Sequence, residues 1–129
     1  MTELSERKRR LIHRIDELAG PWREIALRMH ANPELAGEEH LASRWMSAAL
    51  EANGFRVERG LAGMETAFAA WRGTSATAPL IAFMAEMDAL PEVGHACAHN
   101  LSGPASCLAA LALAESEGDE GVRVVVFGT

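Results

Sequence analysis

PLIAFMAEMDALPEVGHACAHNLSGPASCLAALALAESEGDEGVRVVVFGT, residues 79–129, contains the pattern strand, helix, strand. Residues 79–85 form a continuous apolar run of strand length, which predicts a central strand covered on both faces. The alanine-rich segment that follows predicts a helix with Pro104 in its first turn, and VRVVVFGT predicts a second buried strand. The two strands of such a βαβ unit run parallel. The sequence therefore predicts an α/β fold.

Two helices are predicted ahead of this unit. An apolar stripe at helical spacing covers residues 11–29, and Pro21 should kink or restart that helix. A second helix should begin near Gly37 and end at Asn53, where glycine follows. FRVERG and ETAFAAWRG then predict two strands bounded by glycine. The expected architecture is two leading helices followed by a mixed sheet of about four strands with one crossover helix.

Composition limits the classes of partner. The chain has 129 residues, 49% of them hydrophobic, which is enough for one domain with its own core. A net charge of -6 argues against a nucleic-acid partner, and the basic run RKRR is flanked by acids, as on a solvated helix face. The sequence shows no signal-peptide pattern, no membrane-length apolar run and only two cysteines. We therefore expect a reduced, cytoplasmic protein with no membrane partner.

The loop AEMDALPEVGHACAHN, residues 85–100, follows the first strand of the βαβ unit, where open α/β sheets bind ligands. Cys97 and His99 are close enough to bind one metal, and the pair suits zinc or another transition ion. Spacing alone nevertheless favours a buried thiol beside a structural histidine. We expect Glu86 and Asp88 to point to opposite faces, or to cap nearby backbone donors.

The same loop closely resembles the signature of M20-type metallo-amidohydrolases, in the subgroup of aminobenzoyl-glutamate hydrolase-like proteins and M20 domain-containing dipeptidases. MHANPELAGEEHLAS, Gly54–Phe55 and TAFAAW resemble the same subgroup in the same order, so the resemblance covers nearly the whole chain. It implies that residues 1–129 are the amino-terminal part of a zinc-peptidase-like catalytic domain. The smaller dimerisation domain and the carboxy-terminal half would then be absent.

The resemblance also assigns roles to residues of the loop. Cys97 and His99 match ligands of a two-metal site that holds zinc or manganese. Asp88 matches a catalytic-site aspartate that lies behind the metals and orients a ligand. His95 and Asn100 match positions that support the ligands from behind and hold the loop geometry.

The resemblance covers further positions that are not assigned as metal ligands. Glu86 stands where many relatives carry a metal-binding histidine, so it is not assigned as a ligand. His30 and Glu34 match a motif whose role is structural. Ala98 replaces the glycine that the family usually has between the cysteine and the histidine. If that position requires a positive φ, alanine strains the loop and misplaces the ligands.

The implied reaction is hydrolysis of an amide bond in a dipeptide, an N-acyl amino acid or an aminobenzoyl-glutamate-like substrate. In the family, a metal-bound water attacks the carbonyl while a glutamate after the last strand moves the proton. This sequence ends at Thr129, and Glu38 and Glu39 do not replace that glutamate, so we expect no general base and no activity in the 129-residue chain. The alternative is a non-catalytic, truncated or degenerate domain that acts only through association. An apolar VRVVVF strand without a neighbour predicts a homodimer or other self-association.

Overall fold

The computed structural model describes residues 4–129. Its elements in chain order are α1 (Glu6–Ala31), α2 (His40–Ala52), β1 (Arg56–Arg59), a short 3-10 turn (Leu61–Gly63), β2 (Phe68–Arg72), β3 (Leu80–Ala85), α3 (His99–Glu117) and β4 (Arg123–Gly128). None of the helices in this part of the chain has the length and apolar character needed to cross a membrane. The prediction of an α/β fold with two leading helices followed by a sheet is confirmed.

Helix α1 runs through Pro21 as one element, so the predicted restart at this proline did not occur. An interior proline costs a helix about 3 kcal/mol. Trp22, Ile25 and Met29 lie on the same helix face and are buried. Each such side chain gains roughly 1.5–3 kcal/mol on burial, which outweighs the lost hydrogen bond. The helix ends at Ala31, as the following Asn-Pro pair predicted.

Helix α2 begins at His40, three residues later than Gly37. Gly37 instead adopts a left-handed turn with φ 85°. The carboxylate of Glu34 accepts hydrogen bonds from Leu41 N at 2.9 Å and Ala42 N at 2.9 Å, which satisfies two free N–H groups of the first turn. The side chain of Glu34, six residues before His40, therefore sets where α2 starts.

The four strands form one sheet in the order β1-β2-β4-β3. Strands β3 and β4 are parallel, as predicted for the βαβ unit, while β1 with β2 and β2 with β4 are antiparallel. The predicted mixed sheet is confirmed. Alternate residues of the strands, including Phe68, Val124 and Val126, pack with Met46 and Leu111 of the helices in one hydrophobic core.

The prediction that the 79–85 run is a central strand is wrong. Within residues 4–129, β3 lies at one edge of the sheet, and Leu80, Ile81 and Met84 are 48%, 39% and 56% exposed. The prediction that the last strand lacks a neighbour is also wrong, because β4 is paired on both sides. A continuous apolar run fits either position, since periodicity records burial of side chains and not the order of strands.

Helix α3 begins at His99, so Pro104 lies beyond the first turn and not within it as predicted. The close packing of α3 against the end of β3 depends on Gly103. A Cβ at this position would come within 2.4 Å of the Glu86 carbonyl oxygen, so only glycine allows α3 to approach the end of β3 this closely. This contact positions the amino-terminal end of α3 against the loop that carries Glu86 and Asp88.

Candidate functional site

The candidate site lies in the connection between β3 and α3, at the carboxyl end of β3. Met87 and Ala89 are buried, whereas Glu86 and Asp88 face outward, with side-chain exposures of 58% and 31%. The expectation that Glu86 and Asp88 point to opposite faces is therefore wrong. Residues two apart on an extended chain share a face, and both carboxylates contact His99.

His99 is held between these two carboxylates. Its Nδ1 lies 2.9 Å from Asp88 Oδ1 and 3.0 Å from the Asp88 carbonyl oxygen, and its Nε2 lies 3.1 Å from Glu86 Oε2. Both Asp88 atoms are acceptors, so Nδ1 carries the proton and donates it. In the neutral ring this leaves the lone pair on Nε2, on the side of Glu86. A carboxylate that fixes the tautomer in this way is typical of histidines that bind metals.

Cys97 lies beside the same aspartate. Its Sγ is 3.7 Å from the Asp88 carbonyl oxygen, which His99 Nδ1 also contacts. Cys97 is exposed and Cys107 is buried, and neither forms a disulfide. Burial raises the pKa of the Cys107 thiol to about 12. Cys97 is therefore the accessible thiol of the described chain, and it lies at the candidate site.

Ala98, between these two residues, has φ 65° and ψ 25° and forms the amino-terminal cap of α3. The position therefore does require the left-handed conformation that glycine adopts readily. Two further non-glycine residues with positive φ are Glu92, in the same loop, and Ala62. The Ala98 carbonyl accepts hydrogen bonds from Leu101 N at 2.9 Å and Ser102 N at 3.0 Å, which starts the helix despite the strain.

His95 lies in the same loop, next to Met29 and His30 at the end of α1. Burial lowers the pKa of His95, and the neighbouring His30 and His99 lower it further, while Asp88 and a hydrogen bond with the Met29 backbone oppose them. The His95 Nδ1 is buried and has no hydrogen-bond partner among the described residues. The imidazole is thus favoured in its neutral form, between the end of α1 and the start of α3.

Asn100, predicted to support the ligands, and Glu34, predicted to be structural, form contacts that do not involve the proposed ligands themselves. Asn100 is buried, and its Nδ2 donates to the Ala26 carbonyl at 3.3 Å, so it ties α3 to α1 and not to the loop ligands. Glu34 caps α2, in line with its predicted structural role, and its carbonyl accepts from Ala89 N at 2.7 Å. Through this bond Glu34 also fixes the loop that carries Asp88. Glu86 is the member of the cluster that the sequence analysis left out.

The cluster does not form a complete metal site by itself. Within residues 4–129, no group of three or more histidine, cysteine, aspartate or glutamate side chains is arranged to hold a metal ion. Cys97 and His99 are of the types that bind zinc, and Asp88 holds His99 as a metal ligand is usually held. The donors present fit part of a metal site.

Comparison with known proteins first defines the class. A putative aminohydrolase from methicillin-resistant Staphylococcus aureus superposes with a TM-score of 0.76 at 24% identity, covering 93% of this chain and 34% of its own. The Bacillus subtilis YXEP protein, described as a dinuclear metal-binding peptidase of the M20 family, superposes with a TM-score of 0.66 at 21% identity, covering 86% of this chain and 35% of its own. The fold is thus that found in M20 peptidases.

Curated relatives define the chain more closely. Mouse Xaa-Arg dipeptidase is 39% identical over 98% of this chain and 32% of its own length. The human Xaa-Arg dipeptidase is 36% identical over 99% of this chain and 33% of its own length. One of the polypeptides of p-aminobenzoyl-glutamate hydrolase from Escherichia coli K12 is 33% identical over 71% of this chain and 22% of its own length. No protein-family model matches the chain. The chain is a homologue of these dipeptidases and of this hydrolase, and the resemblance read from the loop is confirmed. It spans about a third of the dipeptidases' length.

Proposed function

We propose that this chain supplies part of the active site of a metal-dependent hydrolase that cleaves amide bonds in dipeptides, N-acyl amino acids or aminobenzoyl-glutamate-like compounds. The observation that carries the proposal is the placement of His99 between Asp88 and Glu86, with Cys97 beside the same aspartate. The names of the dipeptidase and hydrolase relatives support an amide bond as the target.

In this proposal Cys97 and His99 are metal ligands, through the Sγ thiolate and the Nε2 lone pair. Asp88 keeps the proton on Nδ1 of His99, which leaves Nε2, 3.1 Å from Glu86 Oε2, as the nitrogen that would bind the metal. Zinc or manganese is the expected ion, because the thiolate and imidazole pair suits transition metals. When bound, such an ion acts as a Lewis acid and lowers the pKa of a water ligand. The two-metal description of the YXEP neighbour supports a second ion in the complete site.

We assign no general base to residues 1–129. Glu39 is 4% exposed and its carboxylate accepts from Gly37 N at 2.9 Å and from the Thr66 hydroxyl at 2.7 Å, so it stabilises the turn before α2. Glu38 precedes the same helix. Neither belongs to the cluster around His99. A well-placed base contributes about 10²–10⁴-fold in rate, so we expect the 129-residue chain by itself to be inactive.

The alternative function, association without catalysis, is favoured by the exposed apolar edge of β3. Leu80, Ile81 and Met84 lie on a strand that, within residues 4–129, pairs on one side only, and β3 itself contains no charged residue. Such an edge invites pairing with another strand. Self-association of this chain, or assembly as a homodimer, is accordingly part of the proposal.

A chimera tests the catalytic proposal directly. This chain would replace the aligned third of mouse Xaa-Arg dipeptidase, and hydrolysis of a dipeptide with carboxy-terminal arginine would be measured with and without a chelator. We expect chelator-sensitive hydrolysis that Cys97→Ala or His99→Ala abolishes. His13→Ala, an exposed histidine on α1, is the matched control and should retain activity.

Zinc titration of the 129-residue chain gives a second readout that does not depend on activity. Two protein ligands are fewer than the four of a structural zinc site, so we expect at most one weakly bound ion, lost in Cys97→Ala and His99→Ala. Two tight sites in calorimetry, or an active Cys97→Ala chimera, would show that the ligands are misassigned.

A further inference from the structure

A second concave region lies at the opposite end of the sheet from the His99 cluster. It has a volume of about 320 Å³, within the range of roughly 300–1,000 Å³ typical of small-molecule pockets. Leu80 and Arg123, the first residues of β3 and β4, line it together with Arg56, Trp71, Arg72 and one acidic residue, Asp119. We call this region the arginine cleft. The chain as a whole carries a net charge of -6, so three guanidinium groups around one cleft run against its overall charge.

The strand register brings these side chains together. Arg56 is paired with Trp71 across β1 and β2, and Arg123 is paired with Leu80 across β4 and β3. Gly73 closes the gap between the strands, because a Cβ there would come within 2.4 Å of the Val122 carbonyl oxygen. The end of β2 therefore approaches the start of β4 closely, which places the cleft's arginines around a single opening.

Within residues 4–129, carboxylates of the chain balance two of the three guanidinium groups in the cleft and leave the third without a counter-charge. Arg72 Nε lies 3.0 Å from Asp119 Oδ1, and Arg56 Nη1 lies 2.7 Å from Glu58 Oε1. Arg123 donates from Nε to the Ala78 carbonyl at 3.0 Å, and no carboxylate in residues 4–129 pairs with it. One positive charge is thus left without a counter-charge in a partly buried position. The planar guanidinium fork is suited to binding a carboxylate or a phosphate through two parallel hydrogen bonds.

Trp71 supplies a second, independent sign of a missing acceptor. Its indole Nε1 is buried and has no hydrogen-bond partner in the described chain. A buried donor without an acceptor costs about 1–3 kcal/mol, so such groups usually mark a bound water or ligand. Trp71 also lines the cleft, so an oxyanion bound by the Arg123 guanidinium would lie close to the indole ring.

We propose that the arginine cleft binds a small oxyanion, the phosphate or carboxylate group of a ligand, held chiefly by Arg123 with Arg56 and Arg72, beside the Trp71 ring. This site is separate from the His99 cluster and does not depend on metal binding or on hydrolysis there. The cleft is bounded by apolar surface from Trp71 and Leu80, so the remainder of such a ligand can be apolar.

Thermal unfolding with inorganic phosphate tests the site in the intact 129-residue chain. We expect a saturable rise in Tm beyond that caused by sodium chloride at equal ionic strength. Arg123→Gln should weaken the apparent phosphate affinity by at least about tenfold, the usual loss for a charged hydrogen-bond partner. Arg10→Gln removes the same charge from the exposed face of α1, where Arg10 pairs with Glu6, and should leave the affinity unchanged.

The Trp71 indole N–H resonance gives a readout in the unmutated chain, and it should shift with phosphate and saturate at the same concentration. If Arg123→Gln does not fold, Arg123→Lys, which keeps the charge and loses the fork, should show weaker binding than the native chain. An equal response to acetate identifies a carboxylate ligand, and a response to phosphate alone identifies a phosphoryl group. No saturable rise in Tm in the native chain, or native affinity in Arg123→Gln, would overturn the proposal.

Discussion

Replacing Ala98 by glycine is expected to stabilise the chain. Ala98 has φ 65° and ψ 25°, a left-handed conformation that costs an L-residue with a Cβ roughly 1–2 kcal/mol and glycine almost nothing. Glycine is also strongly preferred over alanine at the amino-terminal cap of a helix. Against these gains, glycine adds freedom to the unfolded chain, worth roughly 0.5–1 kcal/mol. We expect Ala98→Gly to raise the free energy of unfolding by about 1 kcal/mol.

Ala105→Gly is the matched control, because it removes the same methyl group from an exposed position within the same helix. There the backbone is helical and not left-handed, so glycine should lower the free energy of unfolding by about 1 kcal/mol. The two variants should therefore differ by about 2 kcal/mol, or roughly 8 °C in Tm for a domain of this size.

Urea denaturation followed by circular dichroism would measure both variants, with equal slopes required for the comparison. A loss of stability in Ala98→Gly as large as that in Ala105→Gly would refute the reasoning, because it would mean that residue 98 is not strained. A gain would show that this chain tolerates a conformational cost between Cys97 and His99, the two proposed metal ligands.

Three further predictions concern the thiols and the edge of the sheet. Because burial raises the pKa of Cys107 to about 12, a thiol reagent at about pH 8 should modify only Cys97 in the folded chain. In the unfolded chain the Cys107 thiol ionises near its ordinary pKa of 9.0, whereas in the folded chain it stays protonated up to about pH 12. The free energy of unfolding should therefore fall as the pH rises from 9 to about 12. An unchanged free energy of unfolding over this range would contradict the burial of Cys107. Met84→Lys should abolish self-association in sedimentation by placing a charge on β3, while Leu27→Lys on the exposed face of α1 should not; a monomeric native chain at high concentration would count against the edge.

The sequence alone determined the local elements and the identity of the loop. The βαβ unit follows from two apolar runs around an alanine-rich helix, and the parallel pairing of β3 and β4 follows from that order. The loop from residue 85 to residue 100 carried the family resemblance that the dipeptidase relatives confirm. The need for a left-handed residue at position 98 could be posed from the sequence as a condition, because the expected glycine was missing.

Tertiary structure decided what local patterns leave open. The order of the strands put β4 inside the sheet and β3 at its edge, although both are apolar runs, because strand order depends on pairing between distant segments. Likewise, Glu86 joined the cluster because the end of β3 and the first residue of α3 meet in space, a contact made possible by Gly103. The spacing and type of the residues along a helix or strand indicate which of its faces each residue occupies. Which distant residue it meets there is fixed only when the whole chain packs.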